Sequence, residues 1–281
     1  MTKSMASAAA KRDHGSGMPT RAAEYLERYA RDPGAPLAGQ ENQPTSLAPV
    51  LQRMQLHDAP FRFATVDSFL PQDLYAAVLA SWQPEAAFTT VSFSGVPSGY
   101  FGSRKQQVVE NSATGIARDD PPVWAAVRHA LRHADFVRCL FSAFSDIIEA
   151  NLTSLGPQAQ DAPCFKLYAN IDAGPTEALG AHIDALTKLL TIVIYMDLSG
   201  AVTSDSPGRW GTSLYGDDQS ATQPLQFTPN AGLPVAKQVE FAPNRAFIMP
   251  NKAGALHGVG GGEAGVTRRT LMCGYYLQQP Q

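Results

Sequence analysis

The residues best suited to chemistry are His182 and Asp184, in Gly180-Ala181-His182-Ile183-Asp184, and His257, which follows the strand-like RAFIMP after a short Asn/Gly/Ala loop. In an extended chain, side chains at i and i+2 leave the same face. His182 and Asp184 can therefore present an imidazole and a carboxylate to one point, with His257 supplied by a distant strand. Two neutral imidazoles and one carboxylate cap one face of a metal ion and leave coordination positions open. That suits Fe(II) when oxygen and an organic co-substrate must share the ion, and the same set also serves zinc. Fe²⁺ beside a single carboxylate keeps a net positive charge and attracts an anionic co-substrate. Beyond His257 come Arg268, Arg269 and Thr270, entering TLMCGYYL. Arg268 and Thr270 share one strand face, where a guanidinium fork and a hydroxyl can grip a carboxylate.

Other polar residues read more plainly. His129 and His133 stand at i and i+4 of a helical pattern, a zinc-capable spacing. They sit among Arg128 and Arg132 with no third ligand, which reads as a solvated helix face. Cys273 in the closing strand reads as a small apolar filler. Arg104 and Lys105 end a Gly/Ser-rich stretch and could meet a substrate carboxylate from a lid, or form a solvated charge pair.

The elements that must position these residues divide the chain. Residues 1–46 read as a flexible tail with a short helix in TRAAEYLERYARD, and the folded unit, a single domain over 47–281, begins near Leu47. FRFATVDSF alternates as a strand, and PQDLYAAVLASW is an amphipathic helix opened by Pro71. Pro121-Pro122 starts the longest helical pattern, one or two helices running to about Leu152. The second half is strand-like: CFKLYANI, KLLTIVIYMDL, GTSLYG, KQVEFA, RAFIMP and RRTLMCGYYL, separated by Gly, Pro, Asn and Asp. Helices first and strands afterwards predict an α+β unit, a double-layered antiparallel barrel with helices on one side. The Gly/Pro/Ser-rich segment from Ser199 to Lys237 is where substrate selection is expected, at the barrel mouth.

Composition sets the outer bounds. The 281 residues are 44% hydrophobic, enough for a substantial core. Lys+Arg number 22 against 25 Asp+Glu, a net charge of −3 that disfavours phosphate-backbone binding and so nucleic acid as a partner. Three cysteines without a CxxC argue against a disulfide scaffold and for a reducing, cytoplasmic compartment. No apolar run reaches bilayer length, so no membrane partner is expected.

With these residues in view, the chain resembles the Fe(II)/2-oxoglutarate-dependent dioxygenases, and among them the prolyl-4-hydroxylase-like branch. The resemblance runs over roughly Phe61 to Leu277 and is strongest from Phe165 onward. That family reads HxD, a distal His, then Arg or Lys on the closing strand; here these are His182, Asp184, His257 and Arg268. LYANIDAGPTEALGAHID is similar to the family's entry to the metal site, LLTIVIYMDL to the buried strand after it, and RAFIMPNKAGALHGV to the approach to the second histidine. GRWGTSLYG resembles the Gly-Gly-x-Leu segment, with Gly208-Arg209-Trp210-Gly211 in place of Gly-Gly.

The resemblance implies a double-stranded β-helix (a jelly-roll or cupin-like barrel) in the C-terminal half, supported by helices from the N-terminal half. It implies Fe(II) on His182, Asp184 and His257, with 2-oxoglutarate as co-substrate and O2 as oxidant. Arg268 would grip the far carboxylate, Thr270, Tyr168 and Tyr195 would add hydroxyl donors, and Arg269 would face the opposite layer or solvent. The products would be succinate, CO2 and a hydroxylated C–H bond. Halogenating relatives carry Gly or Ala where Asp184 stands, so hydroxylation is expected. The substrate expected is a small molecule: an amino acid, a peptide-like compound or a natural-product intermediate. The alternatives are a prolyl-type hydroxylase acting on protein, and a non-catalytic cupin-like barrel that binds metal or ligand without turnover.

Overall fold

The computed structural model describes residues 20–31, 46–91, 104–118, 121–176, 179–217 and 233–278. Residues 218–232 of the mouth segment and 92–103 before Arg104 lie outside these, as does most of the N-terminal tail. The strands are β1 (Gln55–His57), β2 (Phe63–Val66), β3 (Thr89–Thr90), β4 (Arg104–Asn111), β5 (Ile116–Ala117), β6 (Pro163–Ala173), β7 (Leu179–His182), β8 (Lys188–Gly200), β9 (Thr212–Asp217), β10 (Lys237–Val239), β11 (Arg245–Pro250), β12 (Ala255–Val259) and β13 (Val266–Leu277). The larger sheet runs β1-β2-β11-β8-β13-β6-β4-β3, with β5 beside β4, and the smaller runs β10-β9-β12-β7.

The chain from β6 to β13 passes repeatedly between the two sheets. It contributes β11-β8-β13-β6 to one and β10-β9-β12-β7 to the other. This is a double-stranded β-helix. The helices cover the outer face of the larger sheet: α1 (Thr20–Ala30), α2 (Gln72–Ala80), α3 (Val123–Arg132), α4 (Ala134–Ala143) and α5 (Ser145–Leu155).

Strand β8 shows why the sheet lies between helices and barrel. Leu190, Ile192, Ile194 and Met196 join the main core with Trp124, Phe136, Phe141 and Phe144 from the helical layer. The intervening Thr191 and Val193 line the barrel interior. An apolar run buried on both faces follows from that position. No helix among the described residues is long and apolar enough to cross a membrane.

Three expectations are corrected. The long helical pattern is three helices, because His133 is extended (φ −56°, ψ 129°) and caps α4 by accepting the Asp135 amide at Nδ1, while Phe144 (φ −125°) leaves helical geometry before α5. Arg128 and Arg132 are not a solvated face: both are buried and pair with the buried Glu110 of β4. A guanidinium on an amphipathic helix goes inward when a carboxylate awaits it, which local sequence does not display. Helix α1 is not part of a loose tail. Tyr25 and Tyr29 are buried in the main core, and the Tyr25 hydroxyl donates to the Tyr276 carbonyl (3.1 Å). Packing therefore begins well before residue 47.

Candidate metal centre

His182 closes β7 and His257 lies in β12, and the two are direct cross-strand partners. Paired residues in an antiparallel ladder project to the same face, and their rings lie 4.4 Å apart between centroids. Register shifts flank His257 against both of its neighbours, after it toward β7 and before it toward β9. Such irregularities re-aim a side chain. The strands also approach unusually closely beside it: a Cβ on Gly258 would stand 2.2 Å from the Leu179 carbonyl oxygen. Asp184, two residues beyond His182, completes the group, and the three donor atoms all lie within 4.8 Å of one another.

Each donor is oriented from behind. His182 Nδ1 lies 2.9 Å from the Gly180 carbonyl and His257 Nδ1 3.1 Å from that of Ala255. A carbonyl can only accept, so each Nδ1 carries the proton and each Nε2 keeps its lone pair, the arrangement a metal ligand needs. Asp184 Oδ2 accepts from Lys188 Nζ and from Thr191 Oγ1, both at 2.9 Å, and lies 3.9 Å from His257 Nε2. The loop is braced below: Asn151 of α5 donates to the Leu186 and Asn251 carbonyls, and Asn251 donates to the Lys188 carbonyl and Thr191 Oγ1.

The protonation states fit a cation. Burial, helped by His257, lowers the His182 pKa to about 3, and burial lowers that of His257 too, so both rings are neutral. For Asp184, burial opposes ionisation, but the Lys188 ammonium holds the carboxyl well below the usual carboxylate range. A group whose folded pKa is depressed contributes stability that is present above its unfolded pKa and lost as pH falls. The metal-free protein should therefore lose thermal stability steadily from about pH 6.5 downward, as unfolded histidine takes up protons that the folded sites refuse. Melting curves across that range check this, and a flat profile would contradict it.

Above the ligands is a cavity of about 150 Å³ reaching along β6, β13 and β4. Its wall is built in cross-strand rows. Arg104, Asp172 and Arg268 share one level; Gln106, Asn170 and Thr270 share the next. Gln106 donates to Asn170 Oδ1 (2.8 Å), and Asn170 Nδ2 lies 3.4 Å from Thr270 Oγ1. Val193, Met272 and Phe247 give the cavity an apolar lining.

The residues singled out in the sequence divide accordingly. His182, Asp184 and His257 converge, and Arg268 and Thr270 line the same cavity. Arg269 faces away, toward Asp197 (3.5 Å). Tyr168 and Tyr195 do not line the cavity. The Tyr195 hydroxyl is buried against Thr212 Oγ1 (2.7 Å), in an aromatic cluster with Phe61, Phe63 and Phe241, and burial raises its pKa to about 12. Burial likewise raises the pKa of Tyr168, whose charged and polar neighbours are Tyr276 and Lys188. An alternation pattern places an aromatic on a face; it does not say how far along that face the cavity extends. Cys273 is buried, with its thiol pKa pushed up, as a filler should be.

Sequence reasoning missed Lys188, Thr191 and Asp172. Each is a polar residue inside a strand that reads as buried, and that conflict was the available signal. For Arg104 it offers a lid or a solvated charge pair. Arg104 instead opens β4 and pairs with Asp172, while Lys105 turns the other way to Glu85 (2.7 Å).

No protein-family model matches this chain, and no curated protein matches it in sequence. Among solved structures, it is similar to a prolyl-4-hydroxylase from Pseudomonas putida, at 14% identity over 83% of this chain and 100% of that one, with a TM-score of 0.46. It is also similar to a prolyl hydroxylase from Trichoplax adhaerens in complex with a hypoxia inducible factor peptide fragment (14% identity, 95% and 96% covered, TM-score 0.44). A third is HygX from Streptomyces hygroscopicus with nickel, 2-oxoglutarate and hygromycin B bound (13% identity, 76% and 82% covered, TM-score 0.45).

Proposed function

We propose that this protein is an Fe(II)- and 2-oxoglutarate-dependent dioxygenase that hydroxylates an unactivated C–H bond of a small molecule, releasing succinate and CO2. The observation that carries this reading is the convergence of two ε-nitrogens and one carboxylate in a cavity that Arg268 and Thr270 also line. Neutral imidazoles with their Nδ1 protons tied to carbonyls, beside an ionised carboxylate, fit a divalent first-row metal. Bound there, ferrous iron would supply the redox chemistry that couples oxidative decarboxylation of the 2-oxo acid to C–H oxidation.

The chain's own residues do the rest. Gly180 and Ala255 hold the two rings in orientation, and Lys188 and Thr191 hold the Asp184 carboxylate. Arg268 and Thr270 offer a charged and a neutral donor to the far carboxylate of the co-substrate. Val193, Met272 and Phe247 give the cavity apolar walls, which helps to exclude water from the reacting region. A zinc hydrolase uses the same three ligands but has no need of a guanidinium and a hydroxyl placed for a co-substrate carboxylate.

The test is direct. Metal-stripped protein reloaded with Fe(II) under anaerobic conditions should develop a visible charge-transfer band when 2-oxoglutarate is added, and admission of oxygen should yield succinate. Protein reloaded with Zn(II) should do neither. Absence of both the band and succinate from the Fe(II) form would remove this reading.

A further inference from the structure

A second cavity, of about 270 Å³, opens beside the loop that joins Asp184 to Lys188, with Ala185, Thr187, Lys166, Tyr276 and Gln278 among its lining residues. Strands β6 and β13 pair in unbroken register, so Lys166 and Tyr276 lie on the same barrel-facing side as Asn170 and Thr270. Strand β8 reaches that side by a different route. A register shift between Tyr275 and Tyr276 leaves Leu189 without a partner on β13, and Lys188 comes opposite Tyr276. The extra residue reverses the alternation. Leu189 and Leu190 both enter the main core, and Lys188 turns into the barrel beside Thr191. Gly274, opposite Lys166, carries no side chain, and the Tyr276 ring and the Lys188 stem close over it. A Cβ there would stand 2.7 Å from the Tyr276 ring and 3.0 Å from Lys188 Cε.

A chain of contacts thus leads from the metal ligands to the second cavity. Lys188 Nζ meets Asp184 Oδ2 at 2.9 Å and lies 5.8 Å from the centroid of the Tyr276 ring, and Lys166 Nζ lies 4.9 Å from the same centroid. The two ammoniums differ in their partners. Lys188 is paired with Asp184, whereas Lys166 meets no carboxylate among the described residues. No Asp or Glu lines this cavity among them either. The contact with the ring orients the Lys166 ammonium without neutralising it, and a concave site of one sign of charge selects a ligand of the other. That ligand is not the 2-oxo acid held by Arg268. Lys166 stands opposite Gly274, on the order of 20 Å along β13 from Arg268, too far for one such acid to engage both.

We infer that the second cavity receives a carboxylate of the primary substrate, with the Lys166 ammonium as its counter-charge and the Tyr276 ring as the platform that holds Lys166 in place. The substrate class is a small organic acid whose C–H bond is presented to the metal past the contact of Lys188 with Tyr276. This rests on the dioxygenase reading above and narrows it from small molecules in general to anionic ones.

The experiment compares wild type, Lys166→Met and Lys166→Arg as full chains carrying Mn(II) and saturating 2-oxoglutarate, which avoids turnover. Methionine keeps an apolar stem on the Tyr276 ring, and Mn(II) affinity and melting temperature check that each variant is folded. The probes are pentanoate and its neutral counterpart pentanamide. Ligand-observed NMR reads their affinity, and broadening of the terminal methyl signal by Mn(II) reads their proximity to the metal. Pentanoate should bind Lys166→Met on the order of tenfold more weakly than wild type, and Lys166→Arg, which keeps the charge, should stay near wild type. Pentanamide should bind all three alike and weakly. Equal affinity of wild type and Lys166→Met for pentanoate, or of wild type for the two probes, would overturn the inference while leaving the dioxygenase reading in place. An equal loss in Lys166→Met and Lys166→Arg would overturn it as a packing effect, and an unbroadened methyl in bound pentanoate would overturn the cavity as a substrate site. A wild-type protein that takes up neither Mn(II) nor 2-oxoglutarate would overturn both readings.

Discussion

Replacing Asp184 with Asn should abolish Fe(II)-dependent succinate formation and weaken metal binding by more than the roughly 10–100-fold that follows loss of a partner behind a metal ligand. The carboxylate supplies the site's one anionic donor, set beside two neutral imidazoles by Lys188 and Thr191. Asparagine keeps the size and can still accept from both partners, so the fold is preserved and the loss is electrostatic. Alanine would do the same to catalysis but would strand the Lys188 ammonium, which is largely buried. Metal titration and a coupled succinate assay check the result. Arg269→Ala is the matched control, because its side chain points to Asp197 on the other face of β13, and it should turn over normally. Normal turnover by Asp184→Asn would place the metal elsewhere.

The second large effect is on stability. Asp172→Ala should lower the unfolding free energy by about 3–5 kcal/mol, the usual cost of removing one member of a buried ion pair. Burial works against the Asp172 charge, yet Arg104 and Arg268 keep its carboxyl below the ordinary carboxylate range. Its loss takes away the carboxylate that the two buried guanidiniums share. Pairing it with Arg104→Met removes one of the two guanidiniums that shared it. The double variant should then be more stable than the sum of the single effects allows, by a coupling of about 0.5–3 kcal/mol. Urea denaturation of the four proteins measures this. Simple additivity would mean that the row is three separate residues and not one electrostatic unit.

Much of the molecule was written in its local sequence. HxD in an extended segment already commits an imidazole and a carboxylate to one face, because the period of a strand is two residues. The alternating or continuous apolar runs of the second half mark strands for the same reason, and the Pro-opened amphipathic stretches mark helices. The same period puts Arg268 and Arg269 on opposite faces of one strand, since adjacent residues cannot share a face.

Other features exist only between segments. That His257 meets His182 depends on β12 lying beside β7 with a register shift next to the histidine, and no local pattern encodes a register between strands so far apart in the chain. Arg128, Arg132 and Arg104 read as solvated charges because their carboxylates, Glu110 and Asp172, come from other strands. Tyr25 and Tyr29 read as part of a tail because the surface that buries them is formed by the far end of the chain. Periodicity fixes the direction of a side chain relative to its own backbone. Which charge, ring or cavity it then meets is decided by long-range packing, where burial makes a missing partner costly and a matched one worth keeping.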